Sequence, residues 1–283
     1  MGTEIDETVY ARIGVREPYF ALRGVRFPSP GEAVCAVPVE QQPGEQAPLT
    51  ISEAARHSAI LGLCAAASGT RDGRRRYYLA RRGSLDRLAT RSRPTGPLSG
   101  QATGELRSER AATTTSTILT ASEEPLFRLE LEFAVFSAEA FERVFAHTRR
   151  GDEPPSPPSS PYTSPPEPEG VRLGTRSASA TITPGLDACP GHFPGFPTLP
   201  IAMLGSSLER LGLLLLERFA PGPRRIPWHL ELIHASRLIP AERDVKLRAE
   251  VDSHDERGPT LLLKALLEDE EIFSMRVGFA PAS

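Results

Sequence analysis

The chain is poor in cysteine, in net charge and in uninterrupted apolar sequence, and each shortage closes off a class of protein. Its three cysteines, Cys35, Cys64 and Cys189, lie far apart, with no CxxC pair and no cysteine–histidine cluster. Structural zinc ligands come in close pairs, so no metal site is expected. A sparse, odd cysteine count fits a reducing compartment better than a disulfide-braced secreted domain. The net charge is −3 over 283 residues, which offers no basic surface for phosphates, so nucleic acid is not an expected partner. One basic cluster, RDGRRRYYLARR over 71–82, reads as a solvated strand and turn. The most apolar run, 201–220, carries Glu209, Arg210, Glu217 and Arg218; charges at that density suit a core helix and not a membrane span. The segment MGTEIDETVYARIG is acidic and has no apolar centre, unlike a secretory signal. No nucleotide or flavin motif is visible and no cofactor is expected. What is present in quantity is core-forming sequence: 39% of the residues are hydrophobic, so a packed cytoplasmic protein is the expectation.

One stretch lacks aliphatic side chains altogether: GDEPPSPPSSPYTSPPEPEG, residues 151–170. It cannot bury enough surface to fold, and proline favours extended polyproline II. It is expected to be a linker between an N-terminal unit, 8–150, and a C-terminal unit, 171–283. The two share a rhythm. In the first, YFALRGVRF (19–27) and AVCAVPVE (33–40) alternate like strands. ISEAARHSAILGLCAAA (51–67) is helical in spacing, and strand-like stretches and a short helix over 138–150 follow. In the second, VRLGTRSASATITP alternates. A loop and the 201–220 helix come next, then four strand-like segments with the turn signals of an antiparallel meander. A helix that is apolar on nearly all sides must be wrapped. A curved antiparallel sheet rolled around one helix does this, which is the hotdog architecture. The fold class is therefore α+β, a double hotdog: two antiparallel sheets, each around a long helix, packed as a pseudo-dimer.

The loop before the second helix, ACPGHFPGFPTLP over 188–200, sets four prolines and two glycines around His192. Proline fixes φ and glycine permits turns other residues resist, so this imidazole sits on a stiff, irregular loop. Within it, GHFPGFPTLP resembles the GHFPGxPxxP signature of the beta-hydroxyacyl-acyl-carrier-protein dehydratases, which are hotdog enzymes. His192, Phe193, Pro194, Gly195, Pro197 and Pro200 fall in register. The resemblance covers 171–280; over the first half it rests on architecture and one helix. It implies that His192 removes the α-proton of a 3-hydroxyacyl thioester, while a helix carboxylate fourteen residues on assists departure of the hydroxyl. It also implies that Gly195, Phe196, Pro200 and Ile201 border the substrate, with amides at the helix start holding the thioester oxygen.

The chain departs from that family where the acid should stand. Fourteen residues past His192 is Ser206, and Ile201 replaces the usual glycine. The nearest carboxylate, Glu209, lies three residues further along. In the family the active site forms between two hotdogs, so the first half's helix matters. There ISEAARH resembles the start of the family's central helix, which gives Glu53 the acid position and His57 the polar position one turn on, where it would bind the substrate hydroxyl or orient Glu53. Glu53 is also what a helix dipole favours in a first turn behind a Thr50 or Ser52 cap. Arg56 reads as surface. The first half lacks the histidine: Val39 stands fourteen residues before Glu53. Each half thus lacks what the other keeps. One composite site is expected, His192 with Glu53, opposite an inactive one with Val39 and Ser206. The expected activity is that of a hydro-lyase acting on an acyl-carrier-protein or coenzyme A thioester. The alternatives are a hotdog acyl thioesterase using Glu53, or a non-catalytic acyl or carrier-protein binding partner. The fused pair is expected as a monomeric pseudo-dimer or a higher assembly of it.

Overall fold

The computed structural model describes residues 7–41, 48–70, 72–88, 96–150, 160–223 and 225–281. The first half opens with α1 (Glu7–Ile13), β1 (Arg23–Arg26) and β2 (Glu32–Val37), which lead into the long helix α2 (Ile51–Ser68). Four long strands follow, β3 (Arg76–Arg87), β4 (Leu98–Ser108), β5 (Ala111–Leu119) and β6 (Pro125–Ser137), and α3 (Ala138–Val144) closes it. The second half runs β7 (Glu169–Leu173), β8 (Ser177–Ile182), β9 (Thr198–Leu199), α4 (Ile201–Phe219), β10 (Arg225–Ala235) and β11 (Ile239–Pro240). It ends in β12 (Val245–His254), β13 (Pro259–Leu267) and β14 (Glu270–Pro281). The strand expected over 19–27 is shorter, because Phe20 N donates to Arg16 O in a turn and Tyr19 and Phe20 bury ahead of β1.

The two expected sheets are one. Twelve antiparallel strands run in the order β1-β2-β4-β5-β6-β3-β10-β14-β13-β12-β8-β7. The seam is β3 against β10, with Leu85 opposite Leu230 and Gly83 opposite Leu232. Period-two alternation builds the inner face. On β12, Val245, Leu247, Ala249 and Val251 are buried while Lys246, Arg248 and Glu250 face out, as a one-sided sheet requires. The outer strands of each half curl over their own helix. α2 packs on β2, β4 and β5, and α4 on β8, β12 and β13. Glycine makes the first of these contacts close: a Cβ on Gly104 would stand 2.5 Å from Ala66 N. On α4, Leu208, Leu211, Leu215 and Leu216 are buried, and each is worth about 1.5–3 kcal/mol relative to exposure. α2 and α4 also touch one another. Among the described residues no helix is long and apolar enough to cross a membrane.

Residues 151–159 of the proline-rich stretch lie outside the described residues. Residues 160–168 do not behave as a bare spacer. Pro161–Thr163 forms a 3-10 turn capped by Ser160, and Tyr162 is fully buried. Aromatic area of that size repays the ordering of a short segment that aliphatic residues do not anchor.

Candidate active site

A cavity of about 130 Å3 lies beneath the seam, between the two long helices and the sheet. One wall is a single face of α2, Ser52, Ala55, Arg56, Ala59, Ile60 and Leu63, residues spaced at helical period. Ile201, Ala202 and Gly205 from the first turns of α4 face it. The floor is apolar and comes from both halves, for example Leu129 and Leu131 of β6 with Leu230 and Leu232 of β10. His192, Phe193 and Leu199 close one side.

His192 is held by its loop. Gly191 and Gly195 take φ of +79° and +83°, where a side chain would strain the backbone. The β9–β11 ladder fixes the loop's end, with Leu199 opposite Ile239. Nδ1 of His192 lies 3.3 Å from the Thr198 carbonyl. The Thr198 hydroxyl lies 3.4 Å from the same nitrogen; in the tautomer whose Nδ1 donates to the carbonyl, Nε2 carries the ring's free lone pair. Tyr19 stands edge-on, with ring centroids 4.8 Å apart. Burial pushes the His192 imidazole down to about 3, partly offset by the Thr198 backbone contact. The ring is therefore neutral at ordinary pH. Burial also lifts the Tyr19 phenol to about 12, against the lowering effect of Arg56.

Of the other residues singled out in the sequence, Ile201 also reaches the cavity wall. Pro200 is the N-cap of α4 and supplies no side-chain oxygen. Phe196 packs instead with Tyr77, Phe141, Phe145 and Phe193 in a separate aromatic cluster. The Gly195 carbonyl accepts from Arg150 N.

Glu53 and His57 lie elsewhere in the same region, in a buried network off the cavity. Glu53 Oε1 accepts from the backbone N–H of Glu40 (2.6 Å) and Gln41 (3.2 Å). Thr50 caps α2 by accepting from Glu53 N. His57 Nε2 is 3.5 Å from Glu53 Oε1, and Arg56 pairs with Glu40. Burial raises the Glu53 carboxyl to about 8, although the Gln41 N–H opposes this. Burial, then the neighbouring Arg56 charge, pushes His57 well below its ordinary value. Glu40, Glu53 and His57 bring ligand-type atoms within 4.8 Å of one another, but the Arg56 guanidinium already supplies the cation there. Arg56, expected at the surface, is 1% exposed and lies over the rings of Tyr19 and Tyr162 at 5.8 and 5.2 Å. Its spacing of four from Ser52 was the available signal.

A second cleft, about 560 Å3 and more polar, opens on the other side of the helix pair, beside Glu40, Gln41, Ser206 and Glu209. Ser206 Oγ is spent on the Ala202 carbonyl, and Val39 is 50% exposed. Glu209 accepts from Ser52 Oγ at 3.1 Å, and burial raises its carboxyl to about 7.

No family model matches the chain, and no curated protein does. Solved structures do. It matches the tesB protein of Mycobacterium avium subs paratuberculosis with a TM-score of 0.60 at 8% identity, over 92% of this chain and 96% of that one. The 12:0-ACP thioesterase of Umbellularia californica matches with a TM-score of 0.57 at 11% identity, over 89% and 94%. An acyl-CoA thioesterase II, TesB2, of Mycobacterium marinum matches with 0.52 at 11%, over 91% and 94%. At such identities the likeness establishes the fold, which is the hotdog fold with one large antiparallel sheet and few helices. It does not support the dehydratase family in particular. The expectation of a hydro-lyase is corrected: the structures matched nearly end to end are thioesterases, which are hydrolases. The site agrees physically, because hydroxide leaves only when an acid protonates it, and among the described residues the cavity wall holds no Asp or Glu.

Proposed function

We propose that this chain is a double hotdog, with units 8–150 and 171–283, that hydrolyses acyl thioesters of acyl carrier protein or coenzyme A in the cavity beneath the seam. The observation that carries this reading is the His192 imidazole, with Nδ1 3.3 Å from Thr198 O, at the wall of an otherwise mostly apolar cavity. The acyl chain lies along the Leu-lined floor, which recognises it by burial alone. The thioester carbonyl meets the start of α4, where the first N–H groups of a helix have no partner within it. His192 Nε2 takes a proton from water as the water oxygen bonds to the carbonyl carbon. The C–S bond then breaks, and the imidazolium returns that proton to the departing sulfur. The oxyanion developing beside the ring offsets the desolvation that disfavours imidazolium. Neither Glu53 nor a second carboxylate is needed on the wall. The match to thioesterases over about nine-tenths of the chain supports the same reaction class.

The test is thiol release from an acyl-thioester series of increasing chain length, with the free acid identified by mass spectrometry. His192→Asn keeps a polar side chain and lowers kcat by at least about a hundredfold, the usual worth of a general base, with the melting temperature held. Absence of thiol release from every carrier-protein and coenzyme A thioester tried overturns the reading and leaves a binding role.

A further inference from the structure

Residues 160–168 tie the site together from outside the elements that build it. The Tyr162 hydroxyl donates to the Pro190 carbonyl at 2.6 Å, two residues ahead of His192. Its ring meets Tyr19 edge-on at 5.1 Å, and Tyr19 meets His192 in the same way. Arg56 lies over both tyrosine rings. The Tyr162 backbone carbonyl accepts from Gln41 Nε2 at 3.1 Å. Further on, the Pro166 carbonyl accepts from Ser207 Oγ at 2.6 Å, and Glu167 pairs with Arg210. One short segment thus grips the first half's loop, the second half's loop and both long helices.

The bond to Pro190 adds to the loop's other hydrogen bonds at that point. Pro190 has no N–H to give, and His192 N reaches Cys189 O at only 3.4 Å. On the other side of Pro190, Gly191 O accepts from Arg16 N at 2.8 Å. A buried phenol far above its ordinary pKa through desolvation remains a donor at any working pH, so the bond to Pro190 persists. We propose that Tyr162 is a positioning residue for His192: its hydroxyl, through the Pro190 carbonyl, and its ring, through Tyr19, set where the imidazole stands. Residues 160–168 are on this view backing for the His192 loop and not a neutral tether. The inference rests on His192 being the reacting base, but its geometric content does not.

Tyr162→Phe removes the hydroxyl and keeps the ring. The intact variant is compared with wild type by 15N NMR of the His192 ring nitrogens and by steady-state kinetics on the best thioester. The expected result is a changed pair of His192 ring shifts and a kcat lower by about fivefold, the factor one ordinary hydrogen bond supplies. KM stays within about twofold, since the acyl floor is untouched. Ring shifts equal to wild type overturn the inference, whatever happens to kcat, because the loss would then be structural. If wild type releases no thiol while Tyr162→Phe still moves the His192 shifts, the hydrolase reading fails and the positioning role stands.

Discussion

Replacing Glu53 with Gln separates a catalytic carboxyl from a structural one. The glutamine Oε1 can still accept from the N–H groups of Glu40 and Gln41, which the carboxylate binds at 2.6 and 3.2 Å. What it loses is titration. Burial holds the folded carboxyl at about 8, against an ordinary 4.5, and the side chain is 1% exposed. Between those values the folded chain keeps a proton that the unfolded chain has released. Stability of the wild type then falls as pH rises, by about 1.4 kcal/mol per pH unit from this group. From pH 5 to pH 7.5 the stability of Glu53→Gln minus that of wild type should climb by about 3 kcal/mol. His57, held neutral by burial, destabilises the fold on the acid side; because its Nε2 is 3.5 Å from Glu53 Oε1, the same comparison is repeated in a His57→Gln background to separate its share. The buried amide hydrogens of glutamine add a penalty that does not change with pH. The assay is urea unfolding of both proteins across that range, with the slopes compared to confirm that each unfolds in the same way. A difference that stays flat with pH refutes the burial argument. Thiol release retained within about threefold in the variant fits a carboxyl off the cavity wall; its abolition, with stability intact, returns Glu53 to the chemistry.

Two further outcomes follow from the cavity. Because burial keeps the His192 imidazole down to about 3, the base is unprotonated across the working range. kcat/KM for thioester hydrolysis should therefore show no acid limb with an apparent pKa near 6.5, and such a limb, if abolished in His192→Asn, would contradict the assigned environment. Ala59 lines the cavity from the middle of α2, so Ala59→Phe fills it. Chains long enough to reach the Leu129 and Leu131 floor should lose at least about tenfold in kcat/KM, with short ones spared, since each buried CH₂ is worth about 0.8 kcal/mol. Equal losses at every length would place the acyl chain elsewhere.

Much of the fold could be read from local pattern. β12 alternates apolar and charged residues without a break, and α2 has no polar face wide enough to meet water along its length. Both facts demand a sheet curled over a helix. The His192 loop announced itself through glycines that take positive φ. The single sheet was not legible, because the seam depends on which edges meet. Nothing in RRGSLDR or WHLELIH says that Leu85 should face Leu230. The site was half legible for a related reason. A first-turn glutamate looks the same in sequence whether it faces a substrate or a loop's N–H groups, and only the fold of 37–41 decides. Arg56 was misjudged because its partners, Glu40, Tyr19 and Tyr162, lie 16, 37 and 106 residues away in sequence. Tyr162 was hidden inside a stretch whose composition speaks only for disorder.

The asymmetry of the two clefts has a physical logic that a symmetric dimer could not use. In a dimer of identical subunits both clefts must carry the same residues. Once the halves share one chain, each position diverges freely. Just past Val39, the first half's loop turns its own backbone toward α2, and the Glu40 and Gln41 N–H groups take up Glu53 Oε1. A buried carboxyl left without those donors would cost about 1–3 kcal/mol, so Glu53 and the loop hold one another in place. The same tie brings Gln41 to the Tyr162 carbonyl and Glu40 to Arg56. Both contacts lead to the ring layer that backs His192. The hydrogen bonds beside one cleft thereby extend to the rings behind the other. Val39→His should not create a second site, because position 39 is half exposed and its loop is tied to Glu53 through the N–H groups of Glu40 and Gln41; an activity gain in that variant would show the first loop freer than its hydrogen bonds allow.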